Sequence, residues 1–227
     1  MLVLKGVSKT YYPNIKALER ISFEVKAGEF VILVGRSGAG KTTILKLIRK
    51  EEIPTEGNIF YKNLDYSKIR GNEILRLRRK ITIIFQEFRL LNDRTVEENI
   101  RLPLEIFKFS PKEIKKKVEE SLRMVDLYTH KSILVKYLSG GEKQKLAISR
   151  AISFNPEILL ADEPTGNLDP ISTFEIIEIL KNLNNKGITI ILATHNKELV
   201  DYLNKRVITL HQGRIVKDEN PGKYTLI

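Results

Sequence analysis

The 227-residue chain has no cysteine, no tryptophan and only three histidines. Without a thiol it forms no disulfide and offers no thiolate to a metal, and the scattered histidines do not make a zinc site. Any metal ion must therefore arrive with a ligand. Long apolar runs are missing too: nothing approaches the roughly 18 residues that mark a membrane-spanning helix. The opening MLVLKGVSKT lacks the charged start, long apolar stretch and small-residue cleavage site of a secretory signal. No internal repeat, low-complexity tract or linker interrupts the chain. These absences lead to the expectation of a soluble, cytoplasmic protein.

Positive charge is what the chain has in excess. Lysine and arginine number 39 against 28 acidic residues, a formal charge of +11. Such an excess attracts nucleic acid or an anionic membrane surface. Much of it sits in RLRRK (76–80) and KEIKKK (112–117), which read either as solvated helix faces or as surfaces that meet an anionic partner. The 42% apolar content is enough to bury an ordinary core in one large domain or two intimately packed lobes.

Residues 1–34 carry strand patterns. MLVLKGVSKTYY is followed by a turn at Pro13-Asn14, and Ile21, Phe23 and Val25 alternate with polar residues at period two. Ala27-Gly28 supplies a turn before the fully apolar FVILV. The pattern KTTILKLIRK is helical, and TEGNIFY is a further turn and strand. From Glu87 to Tyr137 the character becomes helical. In FSPKEIKKKVEESLRMVDL, Ser110 is placed to cap, Pro111 suits a first turn and Glu113 stands three residues after the cap. Ile114, Val118, Leu122 and Val125 then form one apolar stripe. PEILLADE and GITIILATH are apolar strands separated by a helical segment (171–184), the pattern of parallel strands with a crossover. VITLHQGRIV closes as a hairpin.

GRSGAGKT (35–42) fits the phosphate-binding pattern G-x-x-x-x-G-K-[ST] and lies between a strand and a helix, as that motif requires. Gly35, Gly38 and Gly40 let backbone N–H groups approach phosphates, Lys41 reaches the β/γ oxygens, and the Thr42 hydroxyl is placed to ligate Mg²⁺. Ser37, Ala39 and Thr43 complete the expected nucleotide-binding stretch. ILLADE places Asp162 and Glu163 at the end of a buried strand, where carboxylates face the crevice of a parallel sheet. Asp162 is the expected Mg²⁺ ligand, and Glu163 the group that orients the attacking water or takes its proton. His195 ends the next strand and is expected near the γ-phosphate. Gln86 follows ITIIF and is a candidate for Mg²⁺ or the attacking water. Tyr11 is a candidate for stacking on adenine, although a surface tyrosine is the commoner occurrence.

A second stretch, LSGGEKQKLAISRA (138–151), also looks like a phosphate loop running into a helix. Taken with GRSGAGKT, Gln86, ILLADEP, GNLD and ATH, in that order, it resembles the ATP-binding cassette (ABC) ATPases over nearly the whole chain. The phosphate loop occurs in many NTPases, whereas LSGGEKQ shortly before LLADEP is specific to this family. The resemblance implies an α/β fold: a P-loop NTPase core with a mostly parallel sheet, an N-terminal antiparallel β part and an inserted helical part. It also implies one domain over 1–227, with 1–86 and 141–227 as the nucleotide-binding core and 87–140 as the helical portion.

The same resemblance implies ATP and Mg²⁺ as cofactors and a head-to-tail homodimer, formed on ATP binding, that holds each nucleotide between two subunits. Ser139, Gly140, Gly141 and Asp169 would then serve the partner subunit's ATP, and Tyr11 gains weight as the adenine-stacking residue. Lys145 departs from the family pattern, where arginine is more frequent; it keeps the charge and loses bidentate geometry.

Within the family, FQEFRLLNDRTVEENIRLPL and LLADEPTGNLD resemble the branch that holds the cell-division, lipoprotein-release and macrolide-export ATPases, and FRLLNDRTV with GRSGAGKT is most similar to the cell-division type. This implies an FtsX-like integral membrane protein docking near residues 87–100, on which Phe88, Leu90 and Leu91 are apolar. It places the chain peripherally on the inner face of the cell membrane. The competing readings are a phosphoryl-transferring kinase, which has no use for LSGGEKQ, and a nucleic-acid-associated cassette, which the charge favours. Repair types of the latter need a long coiled-coil insertion and translation types a second cassette; neither is present.

Overall fold

A computed structural model of the chain describes residues 1–224. The N-terminal strands β1 (Leu2–Tyr11) and β2 (Ile15–Val25) pair antiparallel across the turn at Pro13-Asn14. After β3 (Phe30–Val34) come α1 (Lys41–Ile48), β4 (Glu56–Tyr61), the short β5 (Leu64–Asp65), α2 (Asn72–Lys80) and β6 (Ile81–Phe85). The middle of the chain contributes α3 (Val96–Ile106), α4 (Pro111–Met124) and two short 3₁₀ turns before α5 (Gly140–Ile152). β7 (Ile158–Asp162), α6 (Pro170–Asn185), β8 (Thr189–Ala193), α7 (Lys197–Leu203), β9 (Arg206–His211) and β10 (Arg214–Glu219) complete the fold.

Two sheets result. One is antiparallel, in the order β2-β1-β4-β5; the other runs β10-β9-β3-β8-β7-β6, parallel except for the terminal hairpin β9-β10. The α/β fold expected from the sequence is therefore the fold observed. Strands of the parallel sheet are apolar throughout because both of its faces are covered. Ile32, Val34, Leu159, Ala161, Ile190 and Leu192 point to a core shared with α3 to α7. Their alternating neighbours Val31, Leu33, Ile158, Leu160, Ile191 and Ala193 point to a second core shared with α1 and the antiparallel sheet.

Local signals behave as their chemistry dictates. Ser110 caps α4 with a reciprocal bond from its backbone N–H to Glu113 Oε2 of 2.9 Å, and Ile114, Val118, Leu122 and Val125 are all buried. Thr95 and Glu98 make the same arrangement at α3. The basic cluster at 76–80 is less free than a solvated face. Arg78 donates to the Lys50 carbonyl at 3.0 Å, Arg79 stacks between the rings of Phe107 and Phe109, and Lys80 pairs with Glu157 at 3.2 Å.

Glu157 joins the two sheets. It stands just before β7 and accepts from the Tyr61 hydroxyl of β4 at 2.7 Å while pairing with Lys62 at 2.6 Å and with Lys80. Burial works to raise its carboxyl, but the bonds from Lys62, Tyr61 and Lys80 outweigh burial and hold it down at about 2, against an ordinary 4.5. A depressed carboxyl stabilises the fold above its unfolded value, and that contribution fades as pH falls through the folded one. Glu157→Gln should lower unfolding stability by about 1–3 kcal/mol at pH 7. In chemical denaturation the gap between the two proteins should close as pH drops from about 4.5 to about 2.

Candidate nucleotide site

The first cradle is built where β3 gives way to α1. Gly40 sits at φ 107, and a Cβ there would lie 2.6 Å from Leu18 Cδ2 and 2.8 Å from the Ala17 carbonyl, so only glycine lets the loop close against β2. No side chain caps α1 and no acidic residue occupies its first turn, which leaves its N-terminal N–H groups to an anion. Lys41 is buried at the floor of the loop. Its Nζ donates to the Gly35 carbonyl at 2.7 Å and the Arg36 carbonyl at 3.4 Å, and stands 3.7 Å from Glu163 Oε1.

The acidic pair arrives on the neighbouring strand end. Asp162, the last residue of β7, accepts a 3.1 Å bond from the Thr42 hydroxyl, so a carboxylate and a hydroxyl oxygen stand side by side. Burial pushes the Asp162 carboxyl up, the Thr42 bond opposes this, and the adjacent Glu163 charge adds to the rise. A divalent cation would relieve that cost, and Mg²⁺ characteristically takes one or two protein oxygens together with phosphate oxygens. The donors present thus fit the metal expected from the sequence.

Glu163 adopts a left-handed backbone, φ 48, in which few non-glycine residues are found outside constrained sites. One carboxylate oxygen meets His195 Nδ1 at 2.9 Å, and the other accepts the His195 backbone N–H at 3.3 Å. The imidazole itself is 65% exposed toward the cleft. Gln86 follows β6, and its amide reaches Asn167 Oδ1 at 3.4 Å.

Lys41, Thr42, Gln86, Asp162, Glu163 and His195 line one open cleft of about 760 Å³, together with Tyr11, Ser37, Gly38, Ala39, Gly40 and Thr43. Gly35 lies beneath them in the loop. Tyr11 stands at the rim with the Lys9 ammonium 4.9 Å from its ring centroid. Residues that sequence reasoning did not single out also line the cleft: Ile15, Lys16 and Ala17 at the start of β2, Arg36 inside the loop motif, and Tyr224. Burial and the nearby Glu163 carboxylate raise the Tyr224 phenol. Arg36 could have been noticed as a cation within the phosphate motif; Tyr224 and the β2 residues had no local signal, since only tertiary contact brings them there.

The second glycine-rich stretch lies elsewhere, and in this chain its helix N-terminus is capped, unlike that of α1. Ser139 caps α5, accepting the Glu142 N–H at 3.2 Å while its own N–H donates to Glu142 Oε2 at 2.7 Å. That backbone bond is the main reason the Glu142 carboxyl titrates below its ordinary value, and His130 Nε2 lies 3.2 Å from its other oxygen. Asp169 caps α6 by accepting the Ser172 N–H at 2.9 Å and the Ser172 hydroxyl at 2.5 Å. Gly141 packs on Ser172, so Ser139, Gly140, Gly141 and Asp169 form one neighbourhood, and none of them lines the cleft. Lys145, on α5, pairs with Glu175 of α6 at 2.8 Å.

Comparison with known proteins places this architecture among relatives. The family model described as ABC transporter matches residues 18–166. The cell division ATP-binding protein FtsE of Bacillus subtilis (strain 168) is 46% identical over 224 residues, covering 99% of this chain and 98% of that one. The methionine import ATP-binding protein MetN of Histophilus somni (strain 129Pt) is 40% identical, over 98% of this chain and 66% of its own length. Among solved structures, the dimeric post-hydrolysis state of the ATP-binding cassette MJ0796 bound to ADP and Pi superposes with a TM-score of 0.87 at 37% identity, covering 99% of this chain and 100% of that one.

A Cβ on Gly141 would lie 2.7 Å from the Ser172 hydroxyl and 3.0 Å from its Cβ. Gly141→Ala should therefore push Ser172 off Asp169 and cost about 1–3 kcal/mol in urea denaturation. Adding Ser172→Gly should recover part of that loss by removing both colliding atoms.

Proposed function

The chain belongs to the ABC transporter family, and we propose that it is the ATP-binding and ATP-hydrolysing subunit of a membrane complex. The observation that carries this reading is the cleft: Lys41, Thr42, Asp162, Glu163 and His195 converge above an uncapped helix N-terminus. In this reading the loop N–H groups and Lys41 hold the β- and γ-phosphates. Thr42 and Asp162, with Gln86 beside them, hold Mg²⁺, which supplies charge neutralisation at the phosphate oxygens. Glu163 orients a water and takes its proton, while His195 steadies that carboxylate and faces the γ-phosphate. Tyr11 stacks on the adenine.

The second cradle serves a second copy. Its separation from the cleft within one chain favours a composite site in which Ser139, Gly140, Gly141 and Asp169 meet the nucleotide of the partner subunit. The dimeric structures of the MJ0796 cassette favour the same arrangement. ATP then binds the single subunit and is held more tightly by the pair, so it shifts the equilibrium toward pairing, and hydrolysis releases the pair. Residues 1–86 and 141–227 act as the nucleotide-binding core and 87–140 as the helical portion that carries the motion outward.

For the output, the FtsE relatives favour cell division, with an FtsX-like integral membrane protein as partner and the inner face of the membrane as location. No helix among the described residues is long and apolar enough to cross a membrane. Of the three apolar side chains considered for docking, Leu90 packs against the core, Phe88 is half-buried, and Leu91 is 45% exposed and open to a partner helix. Uptake of a small solute, as the name of the MetN relative indicates for that protein, is the second reading.

Three variants and one co-purification test this. Glu163→Gln should bind ATP, accumulate a dimer in size-exclusion chromatography and hydrolyse at least ~100-fold more slowly. Lys41→Ala should weaken fluorescent-ATP binding to the monomer, whereas Ser139→Arg should spare monomer binding and abolish the dimer. Equal loss of monomer affinity in both would place the two loops in one site. Leu91→Glu should fold, bind ATP and yet fail to co-purify with the FtsX-like protein; normal co-purification would move the docking surface elsewhere.

A further inference from the structure

The segment between Gln86 and Leu91 has an unusual backbone. Phe88 and Arg89 are consecutive non-glycine residues in the left-handed region, at φ 47 and 51, and the Arg89 N–H bonds back to the Glu87 carbonyl. L-residues avoid that region because Cβ crowds the following carbonyl, and two in succession persist only where surrounding structure imposes them.

Three contacts impose it. The Arg89 guanidinium lies 3.7 Å above the Phe85 ring, which ties it to the end of β6. Asn99 of α3, almost fully buried, accepts the Leu91 N–H at 2.8 Å and donates to the Leu91 carbonyl at 3.0 Å. The third is Arg150, whose Nη1 donates to the Arg89 carbonyl at 2.7 Å and Nη2 to the Phe88 carbonyl at 3.0 Å. The left-handed pair is what turns both carbonyls toward one planar fork. Arg150 has no carboxylate partner among the described residues, and burial lowers its guanidinium pKa. Keeping an arginine there for main-chain carbonyls alone is costly unless their position matters.

Arg150 stands in the last turn of α5, whose cap is Ser139. One rigid helix, about 20 Å long at 1.5 Å per residue, therefore has the second cradle at one end and a grip on the segment behind Gln86 at the other. We propose that Arg150 is a positioning residue that couples the two halves of the composite site, setting Gln86 in one nucleotide's cleft according to whether Ser139–Gly141 has closed on the other nucleotide. Without such a grip, a shift of α5 would leave the 86–89 segment behind. This rests on the ATP-driven pairing proposed above.

The test combines Arg150→Ala, Arg150→Lys and Arg150→Ala/Arg89→Gly. For Arg150→Ala, kcat for ATP should fall about tenfold with KM within about twofold and monomer ATP binding unchanged, the pattern of a lost positioning contact. Lysine, a single-point donor, should not restore kcat. Glycine at 89 takes the left-handed conformation unaided but supplies no grip, so the double variant should stay impaired. Hydrogen exchange of residues 87–91, measured by mass spectrometry, should be faster in Arg150→Ala. In a Glu163→Gln background this segment should also lose its protection change on adding ATP and Mg²⁺. Wild-type kcat and exchange in Arg150→Ala would overturn the proposal. So would a loss that only follows melting temperature, or one that Arg89→Gly relieves in full, which would leave Arg150 a static support. If the unaltered protein hydrolyses no ATP, the ATPase reading fails, and exchange alone decides whether Arg150 holds the segment.

Discussion

The parallel hydrogen-bond register of β3, β8, β7 and β6 fixes where every reactive group stands. Leu33 pairs with Ala193, Ala193 with Asp162, and Asp162 with Phe85, so the strands end level at one edge of the sheet. The residues that follow these ends are the phosphate loop, His195, Glu163 and Gln86. A slip of one residue in β7 would turn Asp162 into the core and Ala161 into the cleft. The packed faces forbid it: Leu159 and Ala161 fill one core and Ile158 and Leu160 the other, all fully buried. Burial of ordinary aliphatic side chains thus sets the separation of charged atoms that never touch them.

Charge is managed at the same edge by proximity. Lys41, Glu163 and His195 form a chain of contacts at 3.7 and 2.9 Å, and Thr42 shares its hydroxyl with Asp162. Removal of any one member leaves a buried or half-buried group without its partner, which costs more than the contact contributes when intact. The left-handed backbone at Glu163 accompanies a carboxylate that meets both Lys41 and His195.

Much of the excess positive charge has structural employment. Arg78, Arg150 and Arg206 donate to main-chain carbonyls, and Lys117 donates to the Ser153 carbonyl at 3.1 Å while lying 5.1 Å from the Phe109 ring centroid. Burial lowers the Lys117 ammonium. Net charge is a sound guide to what a surface attracts, but it does not say which cations are on the surface. Here several hold loops to helices.

The sequence by itself determined the elements whose cause is local. Alternation at Ile21, Phe23 and Val25 made a half-buried strand, Ser110 with Glu113 made a capped helix, and GRSGAGKT made a strand–loop–helix turn with an uncapped helix N-terminus. Each depends on residues a few positions apart, where backbone geometry and periodicity leave few alternatives. Tertiary structure alone decided which distant groups meet. Nothing near Glu157 in the chain indicates Tyr61, and nothing near Gln86 indicates Arg150 or Asn99. Ile15, Lys16 and Ala17 read as part of a strand and became a wall of the cleft only because β2 lies over the phosphate loop. LSGGEKQ was legible as a motif; that it lies outside the cleft of its own chain was decided by the packing of α5 against α6, where Gly141 meets Ser172. The physical reason is that local rules act through covalent spacing, whereas these contacts follow from which apolar faces cover one another.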